Sequence, residues 1–474
     1  MTQLKLDTPS LLSDEQMRKF ITDGYLILQT DFPEEFHENL NTQLKKVYEE
    51  EGNPGNNILP RIQEVQKVFD NPVITGALTS VLGPNYMLHA HRHGHYNASP
   101  VAGGWHKDSY WGYERMRNHH PWWAMIMYFP QDTPVELGPT GIMPGTQNYE
   151  TRIFETDDPK EEALASGKAG TFALIHYDIW HRATPNKLGQ PRFMLKFEFM
   201  RTQLPESPSW NNSEKAWVKP SSAKALPGEH NVMWEDTWNW LHGKIGSMAD
   251  TQPKDVMQVE ELVKSIEHHY EPVALNAAYE LACSGKAGVQ GLLQALHHEN
   301  TNVSRLAAYG LSIAGPEAIP GLISALENSR VETVVHAAFA LGEQGYLAGE
   351  AVPYLIDCLK NHSSVYVRRT IVEALSMNGS HSEIIANELS KCLQDSDNQV
   401  RFMACLSLAR LSSYADTAVP ELELALNDEN RYVRAHAAEA LRYIGTERAK
   451  DSLIKFLLNS RWCPTTTPAN TFYP

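Results

Sequence analysis

Apolar and polar positions change their period along this chain, and the change divides it. In LSDEQMRKFITDGYLIL (12–28), Met17, Phe20 and Ile21 recur at helical spacing. Ser13 with Gln16 three residues on reads as a capping box that opens this helix, and Gly24 marks its end. Tyr25 to Gln29 then alternates as a strand. Residues 36–50 return to a helical pattern, and EEEGNPGNN (49–57) is a polar loop. Four more segments read as strands: 86–97, 122–129, 171–176 and 193–200. Gly, Pro and Asn turns between them predict an antiparallel sandwich or barrel.

From about residue 270 the period is helical and the sequence repeats. The segments anchored on Leu281, Leu311, Leu341, Leu375, Leu408 and Leu441 align, at spacings of 30, 30, 34, 33 and 33 residues. Gly285, Gly315, Gly345, Gly379 and Gly445 fall where a helix end needs a left-handed residue. Second helices such as AIPGLISALEN (318–328), AVPYLIDCLKN (351–361) and AVPELELALND (418–428) carry proline at their start, where a missing N–H costs nothing. Period, caps and phrases such as VRRTIVEAL and VRAHAAEAL make a helix-pair solenoid that resembles HEAT repeats. Between the halves, residues 202–245 hold Trp210, Trp217, Trp234, Trp238 and Trp240. A short helix would bury Trp234 and Trp238 together, and the segment reads as packed across the domain boundary. The expected organisation is multidomain: residues 1–245 a β-rich domain, 246–260 a linker, 261–460 an all-α solenoid and 461–474 a tail.

A length of 474 residues fits more than one core. The formal charge of −16 and the lack of a basic run argue against nucleic acid. Cys283, Cys358, Cys392, Cys405 and Cys463 show no CxxC spacing and read as free thiols of a reducing compartment. MTQLKLDTPS lacks the apolar core of a signal peptide, and no apolar run approaches the roughly 20 residues of a membrane span. The expectation is a soluble, cytoplasmic protein with no nucleic acid and no membrane span.

The candidate chemistry lies in the first half. GWHKDSYWG (104–112) gives His106-x-Asp108, two residues that point to the same side of a strand. His181 lies far along the chain and joins them only if the strands close into a barrel or sandwich. Two imidazoles and one carboxylate form a facial triad, which holds Fe(II) and leaves positions open for a co-substrate and oxygen. Arg192, eleven residues after His181, offers a donor fork suited to a carboxylate.

These pieces, in this order, with the opening helix phrase and GPTGIMPGTQ (138–147), resemble the phytanoyl-CoA dioxygenase family of Fe(II)/2-oxoglutarate oxygenases. The resemblance covers roughly residues 10–205. It implies a double-stranded β-helix (jelly-roll) fold, with His106, Asp108 and His181 on Fe(II) and Arg192 on the far carboxylate of 2-oxoglutarate. It also implies use of O2, hydroxylation of an aliphatic C–H of a small organic substrate, and succinate and CO2 as co-products. The carboxylate at Asp108 sets the chain apart from related halogenases, where a small residue leaves room for halide. One departure stands out: where family members often carry a hydroxyl residue two places after the distal histidine, this chain has Ala183, then Thr184.

His89, His91, His93 and His95 alternate along one strand face. They read as a pocket lining, with His91 and His93 toward the substrate, in preference to a second metal site. Trp105, Tyr110 and Trp111 flank the HxD, either as barrel packing or as a substrate wall. His119 and His120 read as a strand entry. Two functional readings stand beside each other: a small-molecule oxygenase, or an interaction protein whose solenoid recruits a protein partner that the oxygenase modifies or senses. Self-association through the repeats is a third use of that surface.

Overall fold

The structure is a computed structural model that describes residues 8–108, 115–151, 162–220, 227–379 and 383–459. Tyr110, Trp111 and Cys463 lie outside these residues. The chain forms two compact units, one of Met1–Tyr113 with Arg117–Lys244 and the other of Glu114–Met116 with Ile245–Pro474.

The first unit opens with helix α1 (Asp14–Asp23). Its capping box is present: the Ser13 side chain accepts from the Gln16 N–H, and the Gln16 side chain accepts from the Ser13 N–H. Gly24, at φ 77°, ends it. Strand β1 (Tyr25–Gln29) follows, then α2 (Glu34–Glu51), α3 (Ile58–Arg61), α4 (Glu64–Asp70) and α5 (Pro72–Leu82). The remaining strands are β2 (Met87–Asn97), β3 (Trp123–Tyr128), β4 (Thr140–Ile142), β5 (Ala163–Leu164), β6 (Thr171–His176), β7 (His181–Ala183) and β8 (Arg192–Met200). They pair antiparallel in two sheets, a five-stranded one in the order β1-β6-β3-β8-β2 and a three-stranded one in the order β5-β4-β7.

Alternation along β8 sorts its residues between two faces. Phe197 and Phe199 face the helices, with ring centroids 4.2 and 5.7 Å from Phe69 of α4. Arg192, Met194, Lys196 and Glu198 take the other face, although every residue of the strand is buried. The register pairs Lys196 with Met127 of β3 and with His93 of β2. A register shift between Leu88 and Arg92 lets both His89 and His91 reach Glu198. His89 is fully buried against Trp123, while His91 and His93 are half-buried.

The tryptophan-rich segment belongs to the first unit. Helix α6 (Asn231–Leu241) buries Trp234, Trp238 and Trp240. Trp238 stacks near Trp210, and Trp240 lies against Trp122 and His120. Trp210 Nε1 donates to Asp14 Oδ1 at 2.7 Å, and the same carboxylate accepts from the N–H groups of Ser213 and Glu214. Burial acts to raise this carboxyl, but those hydrogen bonds hold it down to about 2. Within this unit its aromatic rings have partners on α1 and on His120 and Trp122, just before β3.

The second unit is helical: α7 (Val256–Ser265), α8 (Glu271–Ala282), α9 (Gly285–Leu296), α10 (Thr301–Leu311), α11 (Ile319–Ala325), α12 (Val331–Glu343), α13 (Val352–Asn361), α14 (Val365–Met377), α15 (Glu383–Cys392), α16 (Asn398–Leu411), α17 (Val419–Ala425), α18 (Arg431–Ile444) and α19 (Glu447–Asn459). The five glycines that punctuate the repeats all have positive φ, from 58° to 79°. In the repeat that lacks the glycine the position is Ser412, and it takes φ 53° all the same. Among the described residues it is the one non-glycine with positive φ. Cys283, Cys358, Cys392 and Cys405 are free thiols. No helix of the described residues is long and apolar enough to cross a membrane.

Candidate metal centre

Asp108 and the two histidines arrive from different segments, and the backbone brings them together. His106 and His181 form an antiparallel bridge that adds the HxD segment to the edge of β7. Met143 N–H donates to the Trp180 carbonyl at 2.9 Å, and Trp180 N–H donates to the Thr146 hydroxyl at 3.2 Å. The GPTGIMPGTQ turn thereby braces the start of β7.

One donor atom from each of His106, Asp108 and His181 lies within 4.8 Å of the others. No other such group of His, Cys, Asp and Glu occurs among the described residues, so the β2 histidines do not form a metal cluster. His106 Nδ1 donates to the Gly104 carbonyl and His181 Nδ1 to the Ile179 carbonyl, each at 3.0 Å. A carbonyl only accepts, so the proton sits on Nδ1 and the Nε2 lone pair is left for a metal. Burial, against the pull of Asp108, brings His181 down to about 4, so its imidazole is neutral at pH 7. Burial also acts to raise the Asp108 carboxyl, but Lys196 and His181 together hold it well below the usual carboxylate range. His106 is exposed, Asp108 half-buried and His181 buried. The donor set and the tautomers suit a divalent metal of the first transition row.

Arg192 opens β8 and is 2% exposed. Its Nε donates to the Gly138 carbonyl at 3.0 Å, its guanidinium lies 5.7 Å from the Phe129 ring, and its Nη1 is buried without a hydrogen-bond partner. Burial without a counter-ion draws its pKa down to about 10. Gly138 has φ 75°, and a Cβ there would meet the Thr184 carbonyl oxygen at 2.7 Å, so the turn that anchors Arg192 needs glycine.

Lys196, Arg117 and Glu198 did not stand out in the sequence. Lys196 Nζ donates to Asp108 Oδ2 at 2.7 Å. Arg117 pairs with Asp178 and, at 3.1 Å, with Glu150, and donates to the Asp108 carbonyl at 3.4 Å. Glu198 Oε2 lies 3.2 Å from His89 Nδ1 and its Oε1 3.9 Å from His91 Nε2. The available signal was the alternation of RFMLKFEFM, which puts a lysine and a glutamate on the buried face that starts at Arg192.

His91 and His93 come to this interior wall. Trp105 does not. It precedes His106, whose bridge partner His181 precedes Arg182, and the Arg182 guanidinium covers the Trp105 ring at 4.5 Å. Arg182 in turn makes a two-point pair with Glu162 at 2.8 and 2.9 Å. Of the two readings of Trp105, this contact favours packing.

The comparisons agree with this division of the chain. The family model for phytanoyl-CoA dioxygenase matches residues 8–194, and that for HEAT repeats matches residues 385–463. None of the curated proteins compared with the chain matches it. Among solved structures, a non-heme monooxygenase, the ThoJ–nickel complex, is 18% identical, with 44% of this chain and 88% of that one covered and a TM-score of 0.31. The non-heme alpha ketoglutarate dependent carbocyclase SnoK from nogalamycin biosynthesis is 17% identical, covering 41% and 88%, with a TM-score of 0.34. HygX from Streptomyces hygroscopicus, with nickel and 2-oxoglutarate bound, is 13% identical, covering 46% and 96%, also with a TM-score of 0.34. The N-terminal part of the chain thus matches the phytanoyl-CoA dioxygenase family model, and the C-terminal part the HEAT-repeat model.

Proposed function

We propose that the N-terminal unit is a jelly-roll Fe(II)- and 2-oxoglutarate-dependent oxygenase that hydroxylates an aliphatic C–H of a small organic substrate. The observation that carries the reading is the trio His106, Asp108 and His181 with both imidazole Nδ1 atoms tied to carbonyls. When bound, the metal with 2-oxoglutarate and O2 supplies the oxidant, and the co-products are succinate and CO2.

The chain's own residues bind and orient. His106 and His181 hold the metal through Nε2, and Asp108 supplies the anionic ligand. Arg192, with Nε already fixed on the Gly138 carbonyl, turns its unpartnered Nη1 to the far carboxylate of 2-oxoglutarate. Burial of Arg192, Lys196 and His181 keeps water from the reacting side.

The test is succinate formation by the full chain with Fe(II), 2-oxoglutarate and O2. Turnover that depends on iron and disappears in His181→Ala supports the reading, and turnover that survives the substitution removes it. A second reading rests on the HEAT repeats, whose unit exposes Tyr346, Tyr354, Ile384, Tyr414 and Leu424. Here the solenoid recruits a protein partner on which the oxygenase acts. Stimulation of the same assay by peptides, and not by metabolites, favours it.

A further inference from the structure

The inner face of β8 carries more ionisable groups than the metal and 2-oxoglutarate require. Lys196, 6% exposed, has the Asp108 carboxylate as its hydrogen-bond partner among the described residues. Two residues on, Glu198 is buried, its Oε2 3.2 Å from His89 Nδ1 but without a hydrogen bond among the described residues. Across the ladder stand His91, His93 and His95, the last two with ring centroids 4.8 Å apart. Lys196, paired with His93 across the ladder, ties this wall to the Asp108 carboxylate. Burial lowers all three imidazoles from their ordinary value and pushes Glu198 up to about 7. The wall therefore presents neutral imidazoles, a glutamate only partly ionised at neutral pH, and the amine of Lys196.

A buried ammonium needs a counter-charge. Asp108 provides it here, but a divalent metal on Asp108 would draw that charge away. We propose that the β2–β8 wall recognises the substrate and that Lys196 takes its acid group, a carboxylate or a phosphate. Glu198 and the histidines hydrogen-bond the rest of the molecule. The proposal rests on the oxygenase reading and names its substrate class. A purely apolar chain against this wall would leave these groups unpaired.

The test uses the full chain with Mn(II) and saturating 2-oxoglutarate at constant ionic strength. Inorganic phosphate, propionate, propylammonium and 1-propanol are titrated separately, and binding is read from the Mn(II) resonance spectrum and by calorimetry. Phosphate or propionate is expected to bind in preference to the cation and the alcohol, and the two anions distinguish the acid group. Lys196→Met should weaken the preferred anion roughly tenfold or more, while Lys196→Arg should stay within about threefold of wild type. Equal affinity in Lys196→Met, preference for propylammonium or propanol, or no binding by the wild type would overturn the proposal. Anion binding that 2-oxoglutarate displaces would overturn it too, because Lys196 would then serve the co-substrate. Failure of the wild type to hold Mn(II) removes the oxygenase reading itself, and the proposal with it.

Discussion

His106 and His181 bond to each other through their backbones, each N–H donating to the other's carbonyl at 3.0 Å, with ring centroids 4.5 Å apart. The main chain sets the spacing of the two imidazoles before any metal arrives. Replacing either histidine with alanine leaves this bridge intact, because only the side chain is lost. His106→Ala and His181→Ala should each abolish iron-dependent succinate formation and Mn(II) binding, with a circular dichroism spectrum like that of the wild type. A variant that keeps full turnover would disprove the ligand assignment.

Arg192→Lys keeps a positive charge but loses the planar fork. It should raise the KM for 2-oxoglutarate by the equivalent of about 1–3 kcal/mol, the scale of a hydrogen bond to a charged group. An unchanged KM would assign the far carboxylate to another residue.

Gly138→Ala acts on the same site from outside it. The new Cβ meets the Thr184 carbonyl oxygen at 2.7 Å on a backbone held at φ 75°. The left-handed conformation alone costs an L-residue roughly 1–2 kcal/mol. A lower melting temperature together with a higher KM for 2-oxoglutarate is expected, because the Gly138 carbonyl anchors Arg192. Loss of stability with an unchanged KM would show that the anchor is dispensable.

Burial of Glu198 ties stability to pH. Its folded-state pKa is raised from 4.5 to about 7. Its contribution is therefore complete below pH 4.5 and is lost as pH rises through about 7, a span worth roughly 3 kcal/mol. Glu198→Gln cannot ionise, so it should melt higher than the wild type at pH 8 and show little difference at pH 5. Melting curves at the two pH values check this, and equal differences at both would contradict it.

Ser412 offers a test in the solenoid. Its φ of 53° suits glycine, and its hydroxyl donates to the Tyr443 carbonyl at 3.2 Å. Ser412→Gly and Ser412→Ala both lose that hydrogen bond, but only alanine keeps the Cβ. The glycine variant should be the more stable of the two by roughly 1 kcal/mol in urea unfolding. Equal stability would mean that the corner is unstrained.

How much of this was legible depends on how local each signal is. The capping box of α1, the glycines of the repeats and the helix that buries Trp234 and Trp238 follow from neighbours in sequence, and all appear as expected. The trio of His106, Asp108 and His181 was visible because its residue types are specific, although its closure depends on a distant strand pairing. Lys196 and Glu198 escaped notice because a charged residue in an apolar strand is informative only once the buried face is known. Whether Trp105 packs or lines the substrate stayed open for the same reason, since one step along an extended chain reverses the side that a residue faces. The β2 histidines kept their strand and their side, but a register shift that their alternation did not reveal brings both His89 and His91 to Glu198.

Burial of His181 and the cationic neighbour of Asp108 also bear on how the centre fills. Metals take up imidazole only in its neutral form and carboxylate only when ionised, so most histidine sites release protons as they load. At His181 and Asp108 those protons are already gone at neutral pH. Loading at these two ligands should therefore exchange no protons with the buffer. Their share of metal affinity then stays level from pH 6 to pH 8, where an exposed histidine pair would lose its hold on the acid side.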